Sequence, residues 1–436
     1  MTLTKEPYRG TRDFFPKDKR VRDYLFSVMN KTAEAFGYEP YDGPLLEEVD
    51  LYKAKSGEEL INEQIYSFTD RGERFVAIRP EMTPTLARMI AKCHRETPKP
   101  IRWYAIPNLM RYEKPQRGRV REHWQYNVDI FGAPRRLGEL EILQVVTTLL
   151  KNFGANSTQF EILLNDRGIV DAVFKSMMRA TNEQTYRLYK IVDKAKKVDQ
   201  AAITKMVNEI GLSKESENIF YSYLQLKTFD DVLNFLKSNQ HNEIAEKFAE
   251  FVDSTKIAGI TDYITYDPTI VRGLDYYTGV VFEVFDKHPD NRRALCGGGA
   301  YANLLQIFNE EPLAGVGFGL GDVTLRDFLE THKLLPNFDL PLNDIALTFS
   351  DDTALSKILE LGTKLREQNF KVVTSLENLS FKKVFPFAEK RGANFVGIIG
   401  SNELTANQIQ IKNMKTKEQH MIALDDLQAM AKILKA

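Results

Sequence analysis

Residues 111–131, RYEKPQRGRVREHWQYNVDIF, constrain the fold more than any other stretch of the chain. Trp124, Tyr126, Val128 and Ile130 share one parity and give an apolar face of period two, while His123, Gln125, Asn127 and Asp129 fill the other. Such a strand buries one side in a core. Its polar side carries an imidazole, two amides and a carboxylate but no Lys or Arg. That suits a floor that hydrogen-bonds a small ligand better than an open surface. The spacing predicts two strands, the first carrying Arg111 and Glu113, joined by a basic loop with Lys114, Arg117, Arg119 and Arg121 around Gly118. From these residues alone, an antiparallel hairpin with a solvated tip explains the pattern equally well.

At 436 residues the chain exceeds one ordinary core, so two or three domains are expected. An apolar content of 43% with 27% charged residues describes a soluble globular protein. A net charge of -1 gives no global pull toward nucleic acid, so contact with an acidic polymer must use local basic patches. Cys93 and Cys296 are too few for a disulfide framework or a sulfur-rich metal site, and the histidines lack ligand spacing. The start, MTLTKEPYRG, lacks a signal-peptide core, and no apolar run approaches membrane-spanning length. A cytoplasmic protein with no membrane partner is expected.

Along the chain, a helix is predicted over 17–36, stopped by Gly37. Upstream, Arg9-Gly10-Thr11-Arg12-Asp13 reads as a polar turn with no assigned purpose, and Pro44-Leu45-Leu46 enters a helix or an edge strand. After a strand at 75–78, Pro80 and Pro84 fix the backbone around Glu81 and Thr83, as an acid and a hydroxyl need for ligand contact; Thr83 also reads as a helix cap. A long helix follows over 137–153, then a strand from Phe160. From about 167 to 260 the pattern is helical and rich in Lys and Glu, like an inserted module. Chemistry resumes at Arg272-Gly273-Leu274-Asp275-Tyr276-Tyr277, where burying Arg272 without an anionic partner would be costly. The run Gly297-Gly298-Gly299 implies a bulge or a close approach of backbone or ligand. Gly alternates with apolar residues from Gly315 to Gly321. After a linker over 331–344, strands and helices alternate to the end, as in a small α/β domain, with Lys382, Lys383, Lys390 and Arg391 on a solvated or basic face.

Over nearly its whole length the chain resembles the histidyl-tRNA synthetases, class II aminoacyl-tRNA synthetases. The family-specific marks are Arg272 to Tyr277 and the triple glycine at 297–299. Residues 111–129 resemble class II motif 2, Pro44 sits at motif 1, and Arg79 to Thr83 match the amino-acid loop. The resemblance implies an α/β chain with an α+β catalytic core. That core is an antiparallel sheet with helices over 1–335, with an inserted helical module at 167–260. An α/β anticodon-binding domain would follow over 342–436. It implies a homodimer whose substrates are L-histidine, ATP with Mg2+, and the tRNA for histidine.

On that resemblance the catalytic residues are Arg111, on the α-phosphate and the histidine carboxylate, and Arg272, on the opposite side of the phosphorus. Glu113 and Arg119 lie beside ATP, and His123 takes the place of an aromatic that stacks on adenine. Histidine would be held by Glu81, Thr83, Gln125, Tyr276 and Tyr301, with Asp129 accepting from one ring nitrogen and Tyr277 donating to the other. Neutral imidazole presents one donor and one acceptor, which these groups match. Two positions depart from the pattern. Thr324 stands where class II motif 3 has an arginine on the γ-phosphate, and Ala300-Tyr301-Ala302 replaces Arg-Tyr-Asp. The departures leave room for a histidine-sensing regulatory paralogue of an ATP phosphoribosyltransferase complex. Arg272, Arg111, Glu113 and above all the complete C-terminal domain favour the ligase. The balanced charge disfavours a plain RNA-binding protein.

Overall fold

The computed structural model describes residues 3–53, 60–271, 277–338 and 341–435. Two compact units emerge, 1–335 and 336–436.

In the first unit the strands are β1 Glu39–Pro40, β2 Leu46–Glu48, β3 Tyr66–Thr69, β4 Phe75–Ile78, β5 Ile101–Ala105, β6 Asn108–Met110, β7 Glu122–Phe131, β8 Phe160–Asp166, β9 Ile264–Tyr266, β10 Tyr277–Asp286, β11 Ala294–Tyr301 and β12 Gly315–Gly321. The main sheet runs β1-β5-β7-β12-β11-β10-β8-β9, with β6 beside the start of β7 and a separate small sheet β2-β4-β3. Its centre is antiparallel; only the outer pairs β1–β5 and β8–β9 are parallel.

Strand β7 behaves as its alternation dictates. Tyr126, Val128 and Ile130 are fully buried against the helices Pro16–Ala35 and Leu137–Asn152, and the Tyr126 hydroxyl donates to the Met29 carbonyl at 3.0 Å. Each such side chain contributes roughly 1.5–3 kcal/mol of burial. The same face continues through Val316, Phe318 and Leu320 of β12 and Val280, Phe282 and Val284 of β10. Gly298 lets these layers close, because a Cβ there would sit 2.8 Å from the Phe282 ring.

One expectation is corrected. Strand β6 ends at Met110, so Arg111 and Glu113 follow the strand instead of lying on it. The chain leaves the sheet because the Tyr112 amide turns to the Gln64 carbonyl (2.6 Å), and Pro115 has no amide hydrogen to offer a ladder. Thr83 likewise is not a side-chain cap. Met82 holds that position, and Thr83 and Pro84 form the first turn of the helix Thr83–Cys93.

Helices run from Arg167 to Ile257, several opened by a side-chain cap such as Thr181, Asp199, Ser213 or Thr228. Their core is continuous with that of the sheet: Phe174, Leu188, Phe220 and Phe248 pack in the same cluster as Phe160 and Val284.

The second unit contains β13 Asn343–Phe349, β14 Val372–Thr374, β15 Ala393–Ile399, β16 Gln408–Asn413 and β17 Gln419–Ala423, in the order β14-β13-β15-β16-β17. β13 pairs in parallel with both neighbours, and the rest are antiparallel. Among the described residues no helix is long and apolar enough to cross a membrane.

Candidate active site

The polar face of β7 looks onto a floor almost without side chains. Gly317 pairs with Asp129, Gly319 with Asn127 and Gly321 with Gln125; on the next strand Gly299 pairs with Gly317 and Gly297 with Gly319. The alternating glycines are therefore a consequence of register. A Cβ on Gly317 would lie 2.0 Å from Asp129 Oδ1, and one on Gly319 would lie 2.8 Å from Gln125 Cδ. From Asp129 to His123 this trough is about 20 Å long at about 3.4 Å per residue, enough for an amino acid and a nucleotide end to end.

At one end Asp129 is buried, and the Tyr301 hydroxyl donates to its Oδ1 at 2.5 Å. Burial lifts the Asp129 carboxyl to about 7, although the Tyr301 bond opposes the shift. The Tyr301 phenol is pushed up by its own burial and by the neighbouring carboxylate. Tyr277 packs over Gly299, where a Cβ would meet its ring at 2.8 Å. On the opposite flank Trp103 pairs with Asp129 across β5–β7, and the Tyr41 ring lies 5.6 Å from the Trp103 ring.

Midway, Arg111 enters from the end of β6. Its Nε donates to the Pro80 carbonyl at 2.8 Å, which ties it to the turn carrying Glu81 and Thr83. That turn is anchored by buried Arg79, which donates to the Asn108 and Gly43 carbonyls and to Asp42. Among the described residues Arg111 has no acidic partner, and its guanidinium lies close enough to His123 to act on that imidazole.

At the far end the basic loop folds back on itself. Glu113 and Arg119 form a bidentate pair. Arg121 lies over the Tyr112 ring (4.0 Å) and donates to the Tyr8 hydroxyl. Burial and the guanidinium groups of Arg111 and Arg12 hold the His123 imidazole down to about 3, so it is neutral at physiological pH. The polar turn at 9–13 now has a purpose. The Gly10 carbonyl accepts from the amides of Arg121 (2.7 Å) and Glu122 (3.3 Å), and Arg12 pairs with buried Asp322, which also accepts from the Trp124 amide. This turn braces the root of the loop. Gly10 adopts φ +86°, and a Cβ there would strike Arg121 at 2.7 Å.

Thr324 donates to the Leu295 and Gly321 carbonyls, and Arg326 is committed to Asp18 and Glu330, away from the trough. The side chain closest to Gly118, at the tip of the loop, is that of Arg293, 3.1 Å from an added Cβ, with Thr324 at 3.7 Å. Arg293 has no acidic partner among the described residues, whereas Arg117 donates to Asn291.

The structure thus gathers Gln125, Asp129, Tyr277 and Tyr301 on one trough. It sets Arg111 with the Glu81–Thr83 turn beside it and His123, Glu113 and Arg119 toward the loop end. Arg272 and Tyr276 lie outside the described residues. Sequence reasoning missed Tyr41, Arg12 and Arg293. Of these, only Arg12 gave any signal, as part of the unassigned polar turn.

A family model described as histidyl-tRNA synthetase matches residues 10–323, and one described as an anticodon-binding domain matches 341–433. The chain is 42% identical to the histidine–tRNA ligase of Leptospira biflexa over 97% of its length and 96% of the relative's. It is 34% identical to that of Thermoplasma volcanium, covering 97% of each. In fold it is similar to the crystal structure of histidyl-tRNA synthetase from Nostoc sp. PCC 7120, with a TM-score of 0.81 at 23% identity, covering 100% of this chain and 99% of that one. A structure described as an ATP phosphoribosyltransferase regulatory subunit/histidyl-tRNA synthetase, from Bacillus halodurans, shares the fold with a TM-score of 0.76 at 20% identity, covering 92% and 99%. With its glycine-floored trough, its buried acid and a match that runs through both units, the chain belongs to the histidyl-tRNA synthetase family.

Proposed function

We propose that this trough activates L-histidine with ATP and that the chain then transfers the histidyl group to its tRNA, as a histidine–tRNA ligase. In the first step a carboxylate oxygen of histidine attacks the α-phosphorus of ATP, and the bond to the pyrophosphate oxygen breaks. In the second, a ribose hydroxyl of the terminal adenosine attacks the acyl carbon and AMP leaves. Neither step needs an enzyme nucleophile. Negative charge gathers on phosphate oxygens, so fixed cations carry the catalysis.

The observation that carries this reading is the trough itself: a backbone floor with an acid at one end, a cation midway and a basic loop at the other. Asp129 accepts from one imidazole nitrogen and a phenol donates to the other, with Tyr277 and Tyr301 lining that end. Glu81, Thr83 and Gln125 take the α-ammonium group, and Tyr276 is a further histidine-binding residue on the resemblance. Arg111 and Arg272 press on the α-phosphate from opposite sides. His123, neutral and flat, lies against adenine, with Glu113 and Arg119 beside the nucleotide. Arg293 supplies the cation for the triphosphate end that Thr324 cannot.

Among the described residues no cluster of three or more His, Cys, Asp or Glu could hold a metal ion. Mg2+ would accompany ATP, with Glu113 or Glu122 as the carboxylates that would help hold it, and would supply positive charge against the triphosphate. The anticodon-binding match at 341–433 favours a ligase over a histidine sensor.

The working form is a cytoplasmic homodimer. Leu46 and Phe68 share one face of the β2-β4-β3 sheet and are both exposed, an apolar surface that a second copy would cover. Histidine-dependent ATP–pyrophosphate exchange, followed by charging of purified tRNA for histidine, tests the function. An absence of exchange in the purified chain overturns it.

A further inference from the structure

Glu139 stands in the first turn of the helix Leu137–Asn152 and is 2% exposed. Its Oε1 accepts from the Val280 amide at 3.0 Å, and a Cβ added at Gly279 would lie 2.3 Å from that same oxygen. Arg136, held just before the helix at φ +72°, faces Glu139 at 3.5 Å, pairs with buried Asp166 and lies over the Phe251 ring at 5.2 Å. Burial works against the charge on Glu139, and Arg136 and the Val280 amide offset it. For packing alone an apolar side chain would serve as well, because a buried ion pair seldom improves on one.

The amide that Glu139 holds belongs to an irregular place in the sheet. Across β10–β11, Tyr277 pairs with Tyr301 and Val281 with Gly299, so Thr278, Gly279 and Val280 stand opposite Ala300 alone. An unbroken ladder running back from Val281 would set Tyr277 against Asn303 instead. The bulge therefore moves Tyr277 by two residues, roughly 7 Å at 3.4 Å per residue, and a shift of two keeps its ring on the face of Gly299. The Glu139 carboxylate fills the hollow of this bulge: Gly279 leaves it room, and the Val280 amide is its donor. On the other side the Val280 to Asp286 ladder with β8 is regular, starting at Asp166, the acid that Arg136 also pairs with.

We propose that Glu139 is a positioning residue whose buried carboxylate fills the bulge at the head of β10 and so holds Tyr277 beside Tyr301. The inference rests on the ligase reading above and adds to it a residue that reaches the histidine end of the trough only through β10. Arg136 supplies the opposing charge and, through Phe251, ties the same point to the helix Asn242–Ile257. A small displacement of a group that lines a site is costly to binding even when the displaced strand stays folded.

Glu139→Ala removes the acceptor, whereas Glu139→Gln keeps an oxygen for the Val280 amide and gives up only the charge. In pyrophosphate exchange Glu139→Ala should raise the KM for histidine at least tenfold, equivalent to about 1.4 kcal/mol, with the KM for ATP unchanged. Glu139→Gln should restore most of that loss. Both variants leave Arg136 facing no charge from Glu139 and should melt lower, so a purely stabilising role predicts lower melting temperatures with an unmoved histidine KM in each. Gly279→Ala presses a methyl group against Oε1 and should raise the histidine KM by itself, yet add little to Glu139→Ala, where the oxygen is gone. Should Glu139→Ala fail to fold, Gly279→Ala and Glu139→Gln carry the test, with hydrogen exchange of the fragment holding Val280 read by mass spectrometry: protection should fall in the first and persist in the second. An unchanged histidine KM in Glu139→Ala or Gly279→Ala, KM values for histidine and ATP that rise together, or fully additive effects in the double variant overturn the proposal. Failure of the wild-type chain to show histidine-dependent exchange overturns the ligase reading and this inference with it, and is read in the same assay.

Discussion

Replacing Asp129 with Asn tests the electrostatics of the cleft and its chemistry together. The carboxyl is held at about 7 against an ordinary value of 3.8 because it is buried, so the folded chain favours its protonated form. In the wild type, stability is therefore lost as pH rises from about 4 through about 7, while the amide does not titrate. Between pH 5 and pH 8 the wild-type group crosses about two pH units of this window, at about 1.4 kcal/mol each. The stability of Asp129→Asn relative to wild type should then be greater at pH 8 than at pH 5 by roughly 3 kcal/mol. Any fixed cost of the amide cancels in this comparison. The chain's two tryptophans are Trp103 and Trp124, both in the first unit, so urea unfolding followed by their fluorescence reports on the right structure. Histidine-dependent exchange by the same variant should fall to background, since an amide nitrogen turned toward the imidazole N–H opposes donor to donor. A stability difference that does not change with pH would refute the burial argument. Undiminished exchange would remove Asp129 from the pocket.

Other outcomes follow from the proposed chemistry. Arg272→Ala should slow single-turnover adenylation by a hundredfold or more while histidine binding, measured by calorimetry, changes little. Arg293→Ala should weaken ATP binding about tenfold and leave AMP binding unaltered, which separates a triphosphate contact from a general loss of the loop. Gly317→Ala forces a methyl group to 2.0 Å from Asp129 Oδ1, so histidine KM should rise at least tenfold in exchange kinetics.

Much of the cleft is legible in the sequence because β7 has one face that must be dry and another whose residue types make poor surface. The parity of Gln125 and Asp129 follows from Val128 and Ile130. The alternating glycines were visible too, but their purpose was not. Only pairing Gly317 with Asp129 turns a composition into clearance. The roles of Arg12 and Tyr41 were opaque for a related reason. Arg12 acts through Asp322, 310 residues away, and the lack of a partner for the Tyr41 hydroxyl is a property of the packed state. Strand β17, an edge segment of five residues, buries Ile422 alone and so shows no alternating pattern by which to announce itself. Arg111 left its expected strand because Gln64, distant in sequence, captures the next amide.

The Gly10 carbonyl, shared between the amides of Arg121 and Glu122, gives the earliest described segment leverage over the nucleotide end. A nick between Thr11 and Pro16 would leave the trough's chemistry intact yet unfasten the loop above it. Bulky cargo fused just ahead of Tyr8 would strain the same fastening from outside. Nucleotide affinity in this chain is thereby exposed to whatever happens well upstream of motif 2, at a place that touches no substrate.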